Sequence, residues 1–207
     1  MILCPGKFIL AVPAKCGTQS YMDLARRSDD LKSITPMNGV LAPKAHVKLD
    51  RIMSVRNPYD RLVSIYLYLK RRKDWAGDIR KVEFDDFVAW LAEKREEAFE
   101  TRIRGRMKDP GHSPWKWTLE LSSVMAGMVK GLHPRAEASY IKLEDPDGPN
   151  WLVENYGITI DGMLRKLGAR RIGREVDWYY RNKKTLRFVN QIWAEVDCET
   201  FGYEVRR

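Results

Sequence analysis

The apolar positions of this chain change period several times, and each change marks an element. Phe8 to Val12 is an unbroken apolar run of strand length, rich in branched and aromatic residues, that stops at Pro13. From Ser20 to Ser28 the pattern becomes helical, with Tyr21, Leu24 and Ala25 inward and Arg26 and Arg27 outward. Arg51 to Val55 reads as a short buried strand. Behind it stand Asn57, a good N-cap, and Pro58, favoured at the first helical position. Leu62, Ile65, Tyr66 and Leu69 then recur at helical spacing, while Arg61, Ser64 and Tyr68 fall on a different face. Phe84, Phe87, Val88 and Leu91 form the stripe of an amphipathic helix that runs to Phe99, with a solvated charged end at Glu93 to Glu97.

The C-terminal third continues the alternation. Ala138 to Glu144 has strand periodicity and leads into the turn residues Asp145-Pro146-Asp147-Gly148-Pro149. Trp151 to Tyr156 and Asp161 to Leu167 read as short helices, each closed by a glycine (Gly157 and Gly168) at the favoured position. Trp178-Tyr179-Tyr180 precedes a helix from Lys183 to Val196, with Leu186, Val189, Trp193 and Val196 inward. Strands alternating with helices over 207 residues predict a single α/β domain spanning 1–207.

Composition sharpens this picture only in places. A hydrophobic fraction of 44% with seven tryptophans and nine tyrosines argues against disorder. The formal net charge of +9 implies a polyanionic partner or a basic surface. Nucleic acid would account for it, and a doubly phosphorylated nucleotide with an acidic glycan would account for it equally well. Cys4, Cys16 and Cys198 are odd in number and widely spaced, which fits neither a disulfide framework nor a zinc site and points to a reducing compartment. Met1 to Lys7 is too short and interrupted for a secretory signal, and no apolar run approaches the ~20 residues that span a bilayer. The expectation is a soluble, cytoplasmic protein without a membrane span.

Two stretches carry candidate chemistry. In the first, the strand ending at Val12 is followed by Ala14-Lys15-Cys16-Gly17-Thr18-Gln19-Ser20 and then a helix. Such a junction directs backbone N–H groups and the positive end of a helix dipole at one point. Gly17 permits close backbone approach, and Lys15 adds a full charge. This suits a phosphate-like or sulfate-like group. The loop lacks the G-x-x-x-x-G-K-[ST] pattern of ordinary ATPases and GTPases. Cys16 reads as a small loop residue. In the second stretch, Val55-Arg56-Asn57-Pro58-Tyr59-Asp60-Arg61-Leu62-Val63-Ser64-Ile65-Tyr66, Arg56 emerges at the carboxyl end of a strand, where open α/β sheets bind ligands.

In this order, the two stretches resemble the sulfotransferases that use 3'-phosphoadenosine 5'-phosphosulfate (PAPS), especially the branch acting on carbohydrates. Residues 14–20 are a loose version of that family's P-K-T-G-G-T-S-like loop, with Ala14 where proline is frequent and Gln19 where threonine is usual. Val55 to Tyr66 is a nearly complete V-R-[DN]-P-x-x-R-L-V-S-x-Y segment. The ending Asp197-Cys198-Glu199-Thr200-Phe201-Gly202-Tyr203 resembles the family's D-x-x-x-F-G-Y.

The resemblance implies a three-layer sandwich with a central, mainly parallel sheet flanked by helices, the P-loop NTPase-like sulfotransferase fold. It further implies transfer of a sulfuryl group from PAPS to a hydroxyl of an acceptor, a saccharide in that branch, without a metal and without nucleic acid. Lys15 would serve the leaving-group oxygen. Cys16, Gly17, Thr18, Gln19 and Ser20 would surround the 5' end, and Arg56 and Ser64 would hold the 3'-phosphate.

Family members place a histidine between the two motifs, and His46 lies there; a neutral imidazole can take a proton near neutral pH. His46 is therefore the expected base, with His112 and Glu144 in reserve. The basic stretch 101–116 is the expected acceptor-binding loop. The competing readings are a kinase-like phosphotransferase and a basic nucleic-acid-binding protein.

Overall fold

A five-stranded sheet organises the N-terminal part of the chain. The structure, a computed structural model, describes residues 1–34, 48–71, 81–103, 125, 139–145, 147–159 and 175–207, with side chains described to residue 93 in the helix that ends at 103. The chain forms two compact units, one from Met1–Asn57 and Met125–Arg170, the other from Pro58–Val124 and Arg171–Arg207.

The first unit begins with a hairpin. Strand β1 (Ile2–Cys4) turns through Pro5, Gly6 and Lys7 into β2 (Phe8–Ala11), antiparallel, with Ile2 opposite Leu10 and Cys4 opposite Phe8. Gly6 takes φ +75 in this turn, and the Lys7 N–H donates to the Cys4 carbonyl at 3.1 Å. Helix α1 (Thr18–Arg26) follows, then a two-residue strand β3 (Lys32–Ser33) that pairs antiparallel with β1.

β4 (Asp50–Val55) lies parallel to β2, and β5 (Ser139–Lys142) lies parallel to β4, giving the order β3-β1-β2-β4-β5. The sheet is therefore mixed: parallel across β2, β4 and β5, antiparallel at the β1/β3 side. Four apolar residues before a Pro-Gly turn make too short a run to read as a strand in isolation, and pairing along β2 is what orders β1. Helix α4 (Gly148–Tyr156) follows β5.

Along β2 and β4, alternate residues on both faces are buried, as expected of parallel strands with no solvent-facing side. On one face Phe8, Leu10, Val12, Ile52 and Ile141 pack with Tyr21 and Leu24 of α1 and Leu152 of α4. α2 (Pro58–Arg71) and α3 (Phe84–Ile103) belong to the second unit and precede α4 in the chain. α4 closes on Gly157 in the left-handed conformation, whose N–H caps the Val153 carbonyl, as the glycine position predicts. The helix expected at Asp161 to Leu167 lies outside the described residues.

The second unit is helical. α2 buries Leu62, Ile65, Tyr66 and Leu69, and α3 buries Phe84, Phe87, Val88 and Leu91, the predicted stripes in both cases. Arg61, off that stripe by its spacing, is also buried, at 4% exposed. An aromatic cluster joins these helices to α5 (Val176–Tyr179) and Tyr180: Tyr66 meets Phe84 and Phe87 with ring centroids 5.3 Å apart, and Phe84 meets Tyr179 and Tyr180 at the same distance.

The final helix departs from its prediction in register. α6 (Lys183–Val189), a π-helical turn (Asn190–Ala194) and α7 (Glu195–Phe201) run on continuously and end at Gly202, φ +64. Leu186, Val189 and Trp193 are buried as expected, but Val196 is 49% exposed, and Ala194, Asp197, Cys198 and Phe201 are buried instead. A π turn holds more residues than an α turn, so the apolar stripe steps sideways after it. A period of 3.6 extrapolated through the turn therefore misplaces Val196.

Candidate functional site

β2, β4 and β5 point the same way, so the segments that leave them meet along one edge of the sheet in the first unit. These segments are the loop Val12–Gly17 after β2, Arg56-Asn57 after β4, and Leu143-Glu144 after β5. The carboxyl ends of parallel strands, with helix starts beside them, are where open α/β sheets bind ligands.

The loop after β2 is held in an uncommon shape. Lys15 has φ +66, the one non-glycine residue with positive φ among those described, and Gly17 has φ +91. The left-handed conformation at a lysine costs on the order of 1–2 kcal/mol, so contacts around it must hold it there. Three bonds do so. The Cys16 N–H donates to the Pro13 carbonyl at 3.0 Å. Arg56 Nη1 donates to the Lys15 carbonyl at 3.2 Å, and Ser54 Oγ donates to the Cys16 carbonyl at 2.7 Å. Two side chains near the end of β4 thus grip consecutive carbonyls of the loop after β2.

Gly17 then caps α1, with the Tyr21 N–H bonding to its carbonyl at 3.0 Å. The N–H groups of Thr18, Gln19 and Ser20, at the first turn of a nine-residue helix, have no intrahelical acceptor by construction. Thr18 and Ser20 are half-buried and Gln19 is exposed. Gly17 is required on a second ground: a Cβ there would lie 2.6 Å from Leu143 Cδ1. The third segment completes the frame, with the Leu143 N–H on the Val55 carbonyl at 2.8 Å and the Asn57 N–H on Glu144 Oε1 at 2.8 Å.

Of the sequence-predicted residues, Lys15, Gly17, Thr18, Gln19, Ser20 and Arg56 gather here. Cys16 is present through its backbone only: its side chain is fully buried, with Sγ 3.5 Å from Met125 Sδ, and its N–H is committed to Pro13. Ser64 is half-buried on α2, in the second unit. His46 and His112 lie outside the described residues, as does the stretch 101–116 apart from residues 101–103, which extend α3. Glu144 stands beside Asn57 as a structural acceptor for its N–H.

Sequence reading missed Ser54 and Leu143. Ser54 is fully buried in an otherwise apolar strand, and a hydroxyl in that setting is a recognisable signal that a polar partner must lie opposite. Burial pushes the Tyr21 hydroxyl up to about 12, partly offset by its hydrogen bond with the Ser54 side chain, so Tyr21 stays neutral beneath the loop. Among the described residues no three His, Cys, Asp or Glu side chains gather as a metal-holding group, and no helix is long and apolar enough to cross a membrane. No protein-family model, curated protein or solved structure matches this chain.

Proposed function

We propose that this protein is a sulfotransferase that moves a sulfuryl group from PAPS to a hydroxyl of an acceptor, a carbohydrate on the sequence resemblance. The observation that carries the reading is the hydrogen bond between Arg56 and the Lys15 carbonyl. It joins the two motifs, 41 residues apart, at the carboxyl ends of neighbouring parallel strands.

The chemistry asks for three things: an aligned donor, charge stabilisation on the bridging oxygen, and a base for the acceptor proton. The sulfur–oxygen bond to the nucleotide's phosphate breaks as the bond to the acceptor oxygen forms, and 3'-phosphoadenosine 5'-phosphate (PAP) leaves. In this reading the N–H groups from Gly17 to Ser20, with the Thr18 and Ser20 hydroxyls, hold the 5' end, and Lys15 neutralises charge on the leaving oxygen. Arg56 has four further N–H donors beyond the one given to Lys15, a fork suited to a phosphate. His46 would take the acceptor proton.

The test is calorimetric titration with PAP, ADP and AMP. Selective binding of PAP that falls at least about tenfold in Arg56→Ala supports the donor site, since one charge-assisted bond to phosphate is worth roughly 1.5–3 kcal/mol. Equal binding of PAP and ADP removes the 3'-phosphate from the reading and favours a kinase-like phosphotransferase. Binding of generic DNA with a steep salt dependence, and of no nucleotide, favours the nucleic-acid alternative.

A further inference from the structure

Ser54 and Arg56 are two residues apart at the end of β4, so alternation sends them to the same side, and both reach the loop after β2. The consequence lies in the geometry of the peptide unit. In a planar trans peptide the C=O and the following N–H point in opposite directions. Holding the Lys15 carbonyl toward Arg56 turns the Cys16 N–H the other way, and that N–H is found on the Pro13 carbonyl at 3.0 Å. Holding the Cys16 carbonyl toward Ser54 does the same to the Gly17 N–H. That group has no acceptor among the described residues, and it adjoins the first N–H groups of α1.

We infer that Ser54 is a positioning residue of the anion loop: by donating to the Cys16 carbonyl at 2.7 Å it aims the Gly17 N–H into the site. It does not touch the ligand. Its role as an aid to donor binding rests on the sulfotransferase reading, whereas its control of the Gly17 peptide does not. Ser54 is fully buried, and the loop it steadies contains the left-handed Lys15 and Gly17, two residues whose peptide units would otherwise have other orientations open to them. A serine whose only duty was to satisfy its own buried hydroxyl would leave ligand selectivity unchanged on removal.

The experiment compares wild type, Ser54→Ala and Ser54→Thr by calorimetry with PAP and with adenosine 3'-monophosphate, and by amide NMR of the free proteins. PAP engages both ends of the site, while the 3'-monophosphate lacks the group that Gly17 faces. Ser54→Ala is expected to bind PAP about tenfold more weakly while keeping its affinity for the 3'-monophosphate, and Ser54→Thr to recover PAP affinity to within about threefold, because the hydroxyl is restored.

In the free Ser54→Ala protein, amide shifts should move at residues 15–18 and stay put elsewhere in the sheet. Equal losses for both nucleotides, or no loss for either, overturn the inference while leaving the sulfotransferase reading intact. If wild type binds neither nucleotide, the sulfotransferase reading fails, and the Gly17 amide alone decides: a local shift supports the orientation by Ser54 and an unmoved amide refutes it. Should Ser54→Ala not fold, Ser54→Cys, close in volume and a weak donor, takes its place in every comparison.

Discussion

Replacing Gly17 by alanine tests the packing that shapes the site. The substitution carries two costs. The backbone at Gly17 has φ +91 and ψ +20, a conformation that penalises a side chain by about 1–3 kcal/mol. The new Cβ would also sit 2.6 Å from Leu143 Cδ1 and 3.3 Å from Tyr21 Cε2. Leu143 must move, and overpacking of this kind costs about 1–3 kcal/mol. The two ranges sum to a loss of about 2–6 kcal/mol of unfolding free energy; its middle, about 4 kcal/mol, is equivalent to a fall in Tm of roughly 8–16 °C for a chain of this size.

Urea denaturation followed by tryptophan fluorescence measures it directly, and Leu143→Ala separates the two parts. In the double variant the clash is gone and the backbone strain stays, so the pair should show a favourable coupling of about 1–2 kcal/mol. A cost for Gly17→Ala below about 0.5 kcal/mol, or an additive double variant, would refute the close approach of the loops after β2 and β5.

Other consequences are equally concrete. Gly148→Ala would bring a Cβ to 2.5 Å from Ile141 Cγ2, where α4 starts beside β5, and should cost about 1–3 kcal/mol in the same urea assay. Tyr59→Phe removes a buried hydroxyl that donates to Asn190 Oδ1 at 2.7 Å and accepts the Arg206 N–H at 2.9 Å; a loss of about 1–3 kcal/mol is expected. The Cys198 thiol is pushed up to about 11, by burial first and by the Asp197 charge second, whereas in the unfolded chain it titrates near 9.0.

Between those values the unfolded state gives up a proton that the folded state keeps, so stability must fall as pH rises across this window. Thermal melts over pH 9 to 11 should show that fall, and Cys198→Ala should flatten it. The π turn makes its own prediction: Val196→Lys should change stability by less than about 0.5 kcal/mol and Ala194→Lys should cost more than about 3, as judged by denaturation midpoints.

How much of this was readable in the sequence differs from element to element. The stripes of α2 and α3 are local matters of 3.6-residue spacing, and Leu62, Ile65, Tyr66 and Leu69 on one helix and Phe84, Phe87, Val88 and Leu91 on the other are buried as that spacing requires. The glycine at position 157 ends α4 for an equally local reason. Arg61 shows the limit of such reasoning: periodicity set it on a different face from the apolar stripe and said nothing of its burial, yet the residue is only 4% exposed. Val196 shows another, since one π turn upstream changes which residues face inward.

For the candidate site the division follows the same physics. By itself the amino-acid sequence determined the strand, loop and helix start around Lys15 and Gly17, and the strand end carrying Arg56, because hydrophobic period, proline and glycine act over a few residues. Only the tertiary structure decided that β2 and β4 lie side by side and parallel, that Ser54 and Arg56 take the carbonyls of Cys16 and Lys15, and that Leu143 leaves no room for a side chain at Gly17. Those relations join residues 38 and more positions apart, and no local periodicity encodes which strand end a given carbonyl will meet.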